Sequence, residues 1–317
     1  MAVPFTVFNR TIKPFRNLLA GRPVLTTFQV NLRCNSACGY CDLPLNVGRY
    51  EMTREEIQDV FSRLYCEGVR FVLVQGGEPL LRRDLPEILE DLSTMGFYLT
   101  LITNGTKITQ QLVEWLARLP VSISVSLDTL DREKYRQIRS ADQVEQVLEG
   151  IALLKTFPHP KFLTCIVNEV NRAEAPAVVR FAREQGFLPV VGAYHWNVGT
   201  YGKSDELIPP GYLRKFVEDN VSWLRGQKLE PCDAGRYSIA IDASGNVSAC
   251  LAFPSVGNLL ESSLSEILGR FDRDAIKTCS DHSSCNRLDG RVVGTILRHP
   301  ITALRSVRSF ISQGALS

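Results

Sequence analysis

Apolar and polar positions change period at regular intervals along this chain. From residue 24, short apolar runs of strand length alternate with stretches whose apolar residues recur at three- and four-residue steps. The runs at 24–30, 70–75, 97–102, 121–127, 162–167 and 188–194 read as strands. The stretches at 53–67, 84–95, 109–118, 131–138, 142–156, 173–185 and 210–225 read as helices, with Asp84 as a start cap and Gly96 as a stop. Six strand–helix units in succession predict an α/β fold. Their right-handed crossovers would curl a parallel sheet into a partial (β/α)6 TIM-like barrel, open on one side.

Beyond residue 225 the alternation stops. Short strands at 237–241 and 247–249 flank Asp242-Ala243-Ser244-Gly245-Asn246 and read as a hairpin, followed by a helical stretch at 263–270. The two ends of the chain carry a third pattern. Phe5, Phe8, Ile12, Phe15, Leu18 and Leu19 recur at helical steps beside Arg10, Lys13, Arg16 and Arg22, with no acidic residue and with Pro14 expected to kink the helix. Arg291, Arg298, Arg305 and Arg308 recur in the same way beside Val292, Ile296, Leu297, Ile301, Leu304, Val307 and Phe310. Four segments follow: a basic amphipathic segment at 1–22, a barrel at 23–226, a hairpin and helix region at 227–290 and a basic tail at 291–317. The terminal segments fit either packing against the barrel or contact with an anionic bilayer.

Composition narrows the class. A 44% hydrophobic content over 317 residues supports a full core, and a formal charge of +2 gives no case for nucleic acid. Nine cysteines without a secretory signal point to a reducing compartment and metal ligation rather than disulfides. No apolar run approaches the ~20 residues that span a bilayer. The expectation is a soluble cytoplasmic protein, with peripheral membrane contact left open.

The chemistry begins just after the first strand. Cys34, Cys38 and Cys41 stand at C-x3-C-x2-C. Three soft thiolates in eight residues suit an iron–sulfur cube and leave one iron open to a small molecule. Structural zinc more often takes C-x2-C pairs and four protein ligands, and no histidine lies nearby. In such barrels chemistry gathers at the carboxyl ends of the strands. The second strand ends in Gly76-Gly77-Glu78, where glycines let the backbone pass close to a ligand and Glu78 adds an acceptor. The third ends in the turn sequence Thr103-Asn104-Gly105. Ser122, Ser124 and Ser126 line one face of the fourth, either as a tightly packed small-residue layer or as a polar wall. Asn168 closes the fifth. The sixth runs into Tyr194-His195-Trp196-Asn197, where His195 is a candidate for proton transfer or a loop hydrogen bond. Cys165 and Cys66 read as buried thiols. Further on, Cys232, Cys250, Cys279 and Cys285 can surround a second metal site, for which four-thiolate zinc is a live alternative.

The cysteine motif, with Tyr40 before its third cysteine, resembles the hallmark of the radical S-adenosylmethionine (radical SAM) enzymes, and the resemblance covers about residues 24–225. It implies that a [4Fe–4S] cluster binds S-adenosylmethionine and that Gly76, Gly77 and Glu78 hold the methionyl amino group. It further implies that Thr103 and Asn104 border the cofactor, that Ser126 and Asp128 approach its ribose or carboxylate, and that Asn168 meets it. The spacing C-x12-G-x4-C from Cys232 to Cys250 resembles the auxiliary-cluster regions of the SPASM and twitch subgroups. Four cysteines match the shorter twitch form with one auxiliary [4Fe–4S] cluster, although Cys279 and Cys285 are more widely spaced than the usual pair. An electron donor such as flavodoxin or ferredoxin is implied. For substrate, the basic ends point to a lipid, an isoprenoid or a tetrapyrrole. Peptide modification is an alternative that the 23 residues ahead of the first strand disfavour. A non-catalytic iron–sulfur or zinc scaffold is another, but it would have no need of Gly76, Gly77, Glu78, Ser126 and Asp128 at matching strand ends.

Overall fold

The computed structural model describes residues 12–41, 43–193, 233–251 and 253–276. Helix α1 (Lys13–Ala20) leads into β1 (Leu25–Gln29). Then come α2 (Arg54–Glu67), β2 (Phe71–Gln75), α3 (Leu85–Met95), β3 (Tyr98–Thr103), α4 (Gln110–Leu116) and β4 (Val121–Ser126). Next follow α5 (Arg132–Arg139), α6 (Val144–Leu153), β5 (Lys161–Val167), α7 (Ala175–Glu184) and β6 (Leu188–Ala193). After residue 232 the chain forms β7 (Ser238–Ile241), β8 (Asn246–Ser248), β9 (Gly257–Asn258) and α8 (Leu264–Leu268).

The six barrel strands pair in parallel in the order β6-β5-β4-β3-β2-β1, as six consecutive crossover units require. Their registers, such as Leu25↔Phe71 and Phe71↔Tyr98, bring all carboxyl ends to one rim. The hairpin region does not stand apart. Strand β7 adds to the free side of β1 in parallel, and β8 and β9 continue antiparallel, so one nine-stranded sheet crosses the expected boundary at 226. A neighbour on each side closes the edge of β1, and all five of its residues are buried.

The core lies between the sheet and its helices. Phe28 meets Phe61 at 5.0 Å between ring centroids, and Phe61 meets Phe97 edge-on at 5.6 Å. Burying side chains of this size stabilises by roughly 1.5–3 kcal/mol each. Helix α2 begins with a capping box between Thr53 and Glu56. Gly68 and Gly96 end α2 and α3 at φ 99° and 98°, a backbone that side chains rarely adopt.

Three local expectations change. Pro14 lies in the first turn of α1, where a missing N–H costs nothing, so it starts the helix instead of kinking it. Asp84 precedes α3 but makes no side-chain cap, because Arg82 holds its carboxylate at 2.8 Å. Cys66 is exposed, whereas Cys165 is a buried thiol. The buried side of α1 is also unexpected. Its anchor is Asn17, which donates to the carbonyls of Pro23 (2.9 Å) and Glu67 (2.8 Å), while Phe15 and Leu19 are 60% and 73% exposed. Residues 194–232 and 277–317 lie outside the described residues. With them lie the expected helix at 210–225, His195, Cys232, Cys279, Cys285 and the basic tail.

Candidate functional site

Past the last ladder pair of β1 and β2, the two chains keep running side by side. Gly77 donates to the Asn31 carbonyl at 3.0 Å and Glu78 to the Arg33 carbonyl at 2.7 Å. The glycines are needed for this approach. A Cβ on Gly77 would lie 2.5 Å from the Arg33 carbonyl carbon and the Leu32 oxygen, and a Cβ on Gly76 would lie 2.5 Å from the Asn31 oxygen. What comes close to Gly76 and Gly77 is therefore the chain that leads into the cysteine loop. Arg82 ties the same turn down, donating to the carbonyls of Val30 (2.6 Å) and Met52 (2.8 Å).

Glu78 has no solvent-exposed surface. Its Oε1 accepts from the Thr103 hydroxyl at 2.7 Å and from Leu80 N–H at 3.1 Å, and its Oε2 accepts from Asn104 N–H at 2.7 Å. Burial pushes its carboxyl above the ordinary glutamate range, against the pull of those hydrogen bonds. Within the protein the carboxylate joins the ends of β2 and β3, with Thr103 as one of its donors. Asn104 turns to the cysteine loop, donating to Asn35 Oδ1 at 2.7 Å and reaching within 4.0 Å of Cys34 Sγ.

On the other flank, Asp128 follows β4 and is also wholly buried. Its Oδ2 accepts from Arg139 Nε at 2.6 Å and from the Tyr40 hydroxyl at 2.8 Å, and its Oδ1 accepts from Ile166 N–H at 2.8 Å. Both oxygens accept hydrogen bonds within the protein, and through them Asp128 anchors Tyr40 and the cysteine loop. Asn168 turns inward as well, its Oδ1 accepting from Val170 and Asn171 N–H. Ser124 is paired with Thr164 at 2.8 Å. Ser126 is half-buried at the rim, where its backbone pairs with β5 and its hydroxyl makes no hydrogen bond among the described residues.

Two residues that sequence reasoning passed over organise this flank. Arg139, the last residue of α5, is 5% exposed and places Nη1 3.9 Å from Cys38 Sγ. Burial works against its charge, but Asp128, Tyr40 and Cys38 outweigh it and the guanidinium stays protonated. Asn171 is fully buried and donates to the carbonyls of Asp128 (2.8 Å) and Ile166 (2.9 Å). Helical spacing offered a hint for Arg139, since it falls one turn after the buried Tyr135. No local signal marks Asn171. The end of α5 also receives the loop directly: Gly39 and Ala37 N–H donate to the carbonyls of Ile138 (3.0 Å) and Arg139 (3.2 Å).

Cys34, Cys38 and Cys41 are all partly exposed and free of disulfides. Burial raises the thiols of Cys34 and Cys38, and Arg139 pulls both down. Among the described residues no three His, Cys, Asp or Glu side chains converge as ligands of a single metal ion. A cluster spreads its thiolates over separate irons, and three thiolates in one loop suit that arrangement. N–H donors already face the sulfurs, from Ser36 to Cys34 at 3.4 Å and from Arg139 to Cys38. Ser36 Oγ and Arg139 Nη2 are buried without a partner at the same place. The residues present fit an iron–sulfur cluster. Of the second cysteine group only Cys250 is described, half-buried after β8.

Comparison with known proteins agrees. The Radical SAM superfamily model matches residues 29–182, and the SPASM iron–sulfur cluster-binding domain matches residues 232–287. A GTP 3',8-cyclase of Sinorhizobium medicae is 29% identical over 240 residues, covering 73% of this chain and 68% of that protein. A "Probable GTP 3',8-cyclase" of Methanothermobacter marburgensis is 33% identical over 259 residues, covering 73% and 85%. One of Pyrococcus horikoshii is 36% identical, but this chain spans only 54% of its length. Among solved structures, Streptococcus suis SuiB superposes with a TM-score of 0.66 at 17% identity, over 85% of this chain and 72% of that one. Native anSMEcpe with bound AdoMet superposes at 0.65 and 18% identity, over 82% and 84%. These structures share the fold, a parallel α/β barrel opened on one side. A SAM-binding [4Fe–4S] cluster, an auxiliary cluster and S-adenosylmethionine are the cofactors. With this barrel, this cysteine loop and these matches, the chain belongs to the radical SAM superfamily of enzymes and carries a SPASM domain after the barrel.

Proposed function

We propose that Cys34, Cys38 and Cys41 hold the SAM-binding cluster and that Cys232, Cys250, Cys279 and Cys285 hold the auxiliary one. The carrying observation is that three strand ends and one helix end converge on the Cys34–Cys41 loop: α5 carbonyls bond Ala37 and Gly39, the β2 end bonds Arg33 just ahead of the loop, and Asn104 and Asp128 bond Asn35 and Tyr40 from the ends of β3 and β4. With an electron from a donor of the flavodoxin or ferredoxin kind, the bound group supplies a 5'-deoxyadenosyl radical able to take hydrogen from unactivated carbon. The chain's own task is orientation and exclusion of water. Glu78, Thr103 and Asn104 fix one wall, and Asp128, Arg139 and Tyr40 fix the other. Ser126, at the rim between them, is open to the cofactor.

For substrate, the relatives' names favour a purine nucleotide, GTP, over the lipid, isoprenoid or tetrapyrrole expected from the basic ends. The reconstituted protein, given S-adenosylmethionine and dithionite, should release 5'-deoxyadenosine faster with GTP than with ATP or alone, and ribose-deuterated GTP should pass deuterium into it. Release indifferent to GTP overturns the nucleotide reading and keeps the radical chemistry. No release in any mixture overturns both. A second reading, docking on an anionic membrane, draws on α1, which exposes Phe15 and Leu19 beside Lys13 and Arg16. No helix among the described residues is long and apolar enough to cross a membrane. Flotation with phosphatidylserine vesicles, lost in F15S/L19S, is the expected sign of surface docking, and protein remaining at the bottom of the gradient removes that reading.

A further inference from the structure

Beside Cys38, one guanidinium joins a thiol and a carboxylate. Cys38 Sγ lies 3.9 Å from Arg139 Nη1, and Nε of the same guanidinium donates to Asp128 Oδ2 at 2.6 Å. Arg139 is 6% and Asp128 0% exposed at the side chain, so water screens neither. The order is fixed by the backbone. Arg139 sits where the α5 carbonyls receive the cysteine loop, and Asp128 is held by Ile166 N–H from β5. Tyr40, between the second and third cysteines, bonds the same carboxylate oxygen at 2.8 Å, which keeps the loop in register with the pair. On the α3–β3 side, among the described residues, the donors to Glu78 are a hydroxyl and two backbone N–H groups and no cation bonds it directly.

We infer that Arg139 and Asp128 act as a paired device that sets the reduction potential of the cluster held by Cys34, Cys38 and Cys41. Gaining one electron adds a negative charge beside Cys38. The near guanidinium favours that state, and the carboxylate behind it moderates the effect. Arg139 is thus a positioning residue whose charge counts, and Asp128 opposes it.

The inference rests on the cluster assignment above, so the two are tested apart. In full-length protein reconstituted anaerobically, iron content and the electron paramagnetic resonance signal lost in the C34A/C38A/C41A variant identify this cluster. No change in iron or signal in that variant sinks the assignment itself. On the identified signal, dithionite-driven redox titrations compare wild type, R139Q, R139K and D128N. R139Q should lower the midpoint so that the reduced-to-oxidised ratio at a given potential falls about tenfold, which is about 59 mV for one electron. D128N, which leaves the guanidinium uncompensated, should raise the ratio severalfold, and R139K should lie close to wild type. If R139Q fails to retain iron, D128N and R139K still decide. A downward or absent shift in D128N overturns the inference, as does a shift of the same sign in D128N and R139Q.

Discussion

Glu78 and Asp128 flank the cysteine loop as two fully buried carboxylates, yet they are satisfied by different chemistry. Glu78 receives neutral donors only, and its proton affinity rises because three hydrogen bonds do not repay the loss of hydration. Asp128 has a cation against it at 2.6 Å. The β2 flank is consequently held by close backbone fit, through Gly76 and Gly77, whereas the β4 flank is held by charge. Each flank should fail in its own way.

The largest effect belongs to the charged flank. Replacing Arg139 by alanine leaves a buried carboxylate without its counter-charge, a loss of about 3–5 kcal/mol for a pair of this kind. The urea midpoint of the reduced protein should fall accordingly. A loss under about 1 kcal/mol would mean that Tyr40 and Ile166 N–H suffice for Asp128. On the other flank, Gly77→Ala drives a Cβ into the Arg33 backbone, which cannot swing away as a side-chain end could. About 1–3 kcal/mol of destabilisation is expected, together with reduced iron incorporation. Gly39→Ala provides the contrast, because nothing lies within 4 Å of its Cβ. Its stability should stay within about 0.5 kcal/mol of wild type. Equal losses in the two variants would show that backbone approach is not what the β2 flank depends on.

The sequence reading succeeded where the signal was periodic or clustered. Six strands followed from apolar runs and the cysteine loop from thiolate spacing, because both are local patterns. It located Glu78 and Asp128 but not the partners they take within the protein, since an acidic residue at a strand end looks alike whether it meets a ligand or a buried neighbour. Arg139 and Asn171 were missed for the same cause. Their partners, Asp128 and Cys38 for the first and the carbonyls of Asp128 and Ile166 for the second, are non-local in part and come together only when α5 and β5 close on the rim. The pairing of β7 with β1 joins residues more than 200 apart, beyond any periodicity. The apolar spacing of α1 left packing and bilayer contact both open, and it gave no sign that the contact anchoring the helix is made by Asn17.

The smallest effect separates the two carboxylates by pH. Glu78 has a folded-state proton affinity above its ordinary value, so between the two values the folded protein holds more proton than the unfolded chain. Stability therefore falls as pH rises through that window, with a ceiling of about 1.4 kcal/mol per pH unit for one group. Glu78→Gln removes this slope. It also leaves Asn104 or Leu80 N–H with a poorer acceptor, which lowers stability at every pH, so the informative quantity is the difference in slope and not in level. Urea midpoints of the wild type and Glu78→Gln, taken from the ordinary glutamate range up to neutrality, should converge as pH rises. Parallel curves would mean that Glu78 is ionised at no cost in the folded protein. In that case the neutral donors of the β2 flank would compensate a buried charge as fully as Arg139 does on the other side.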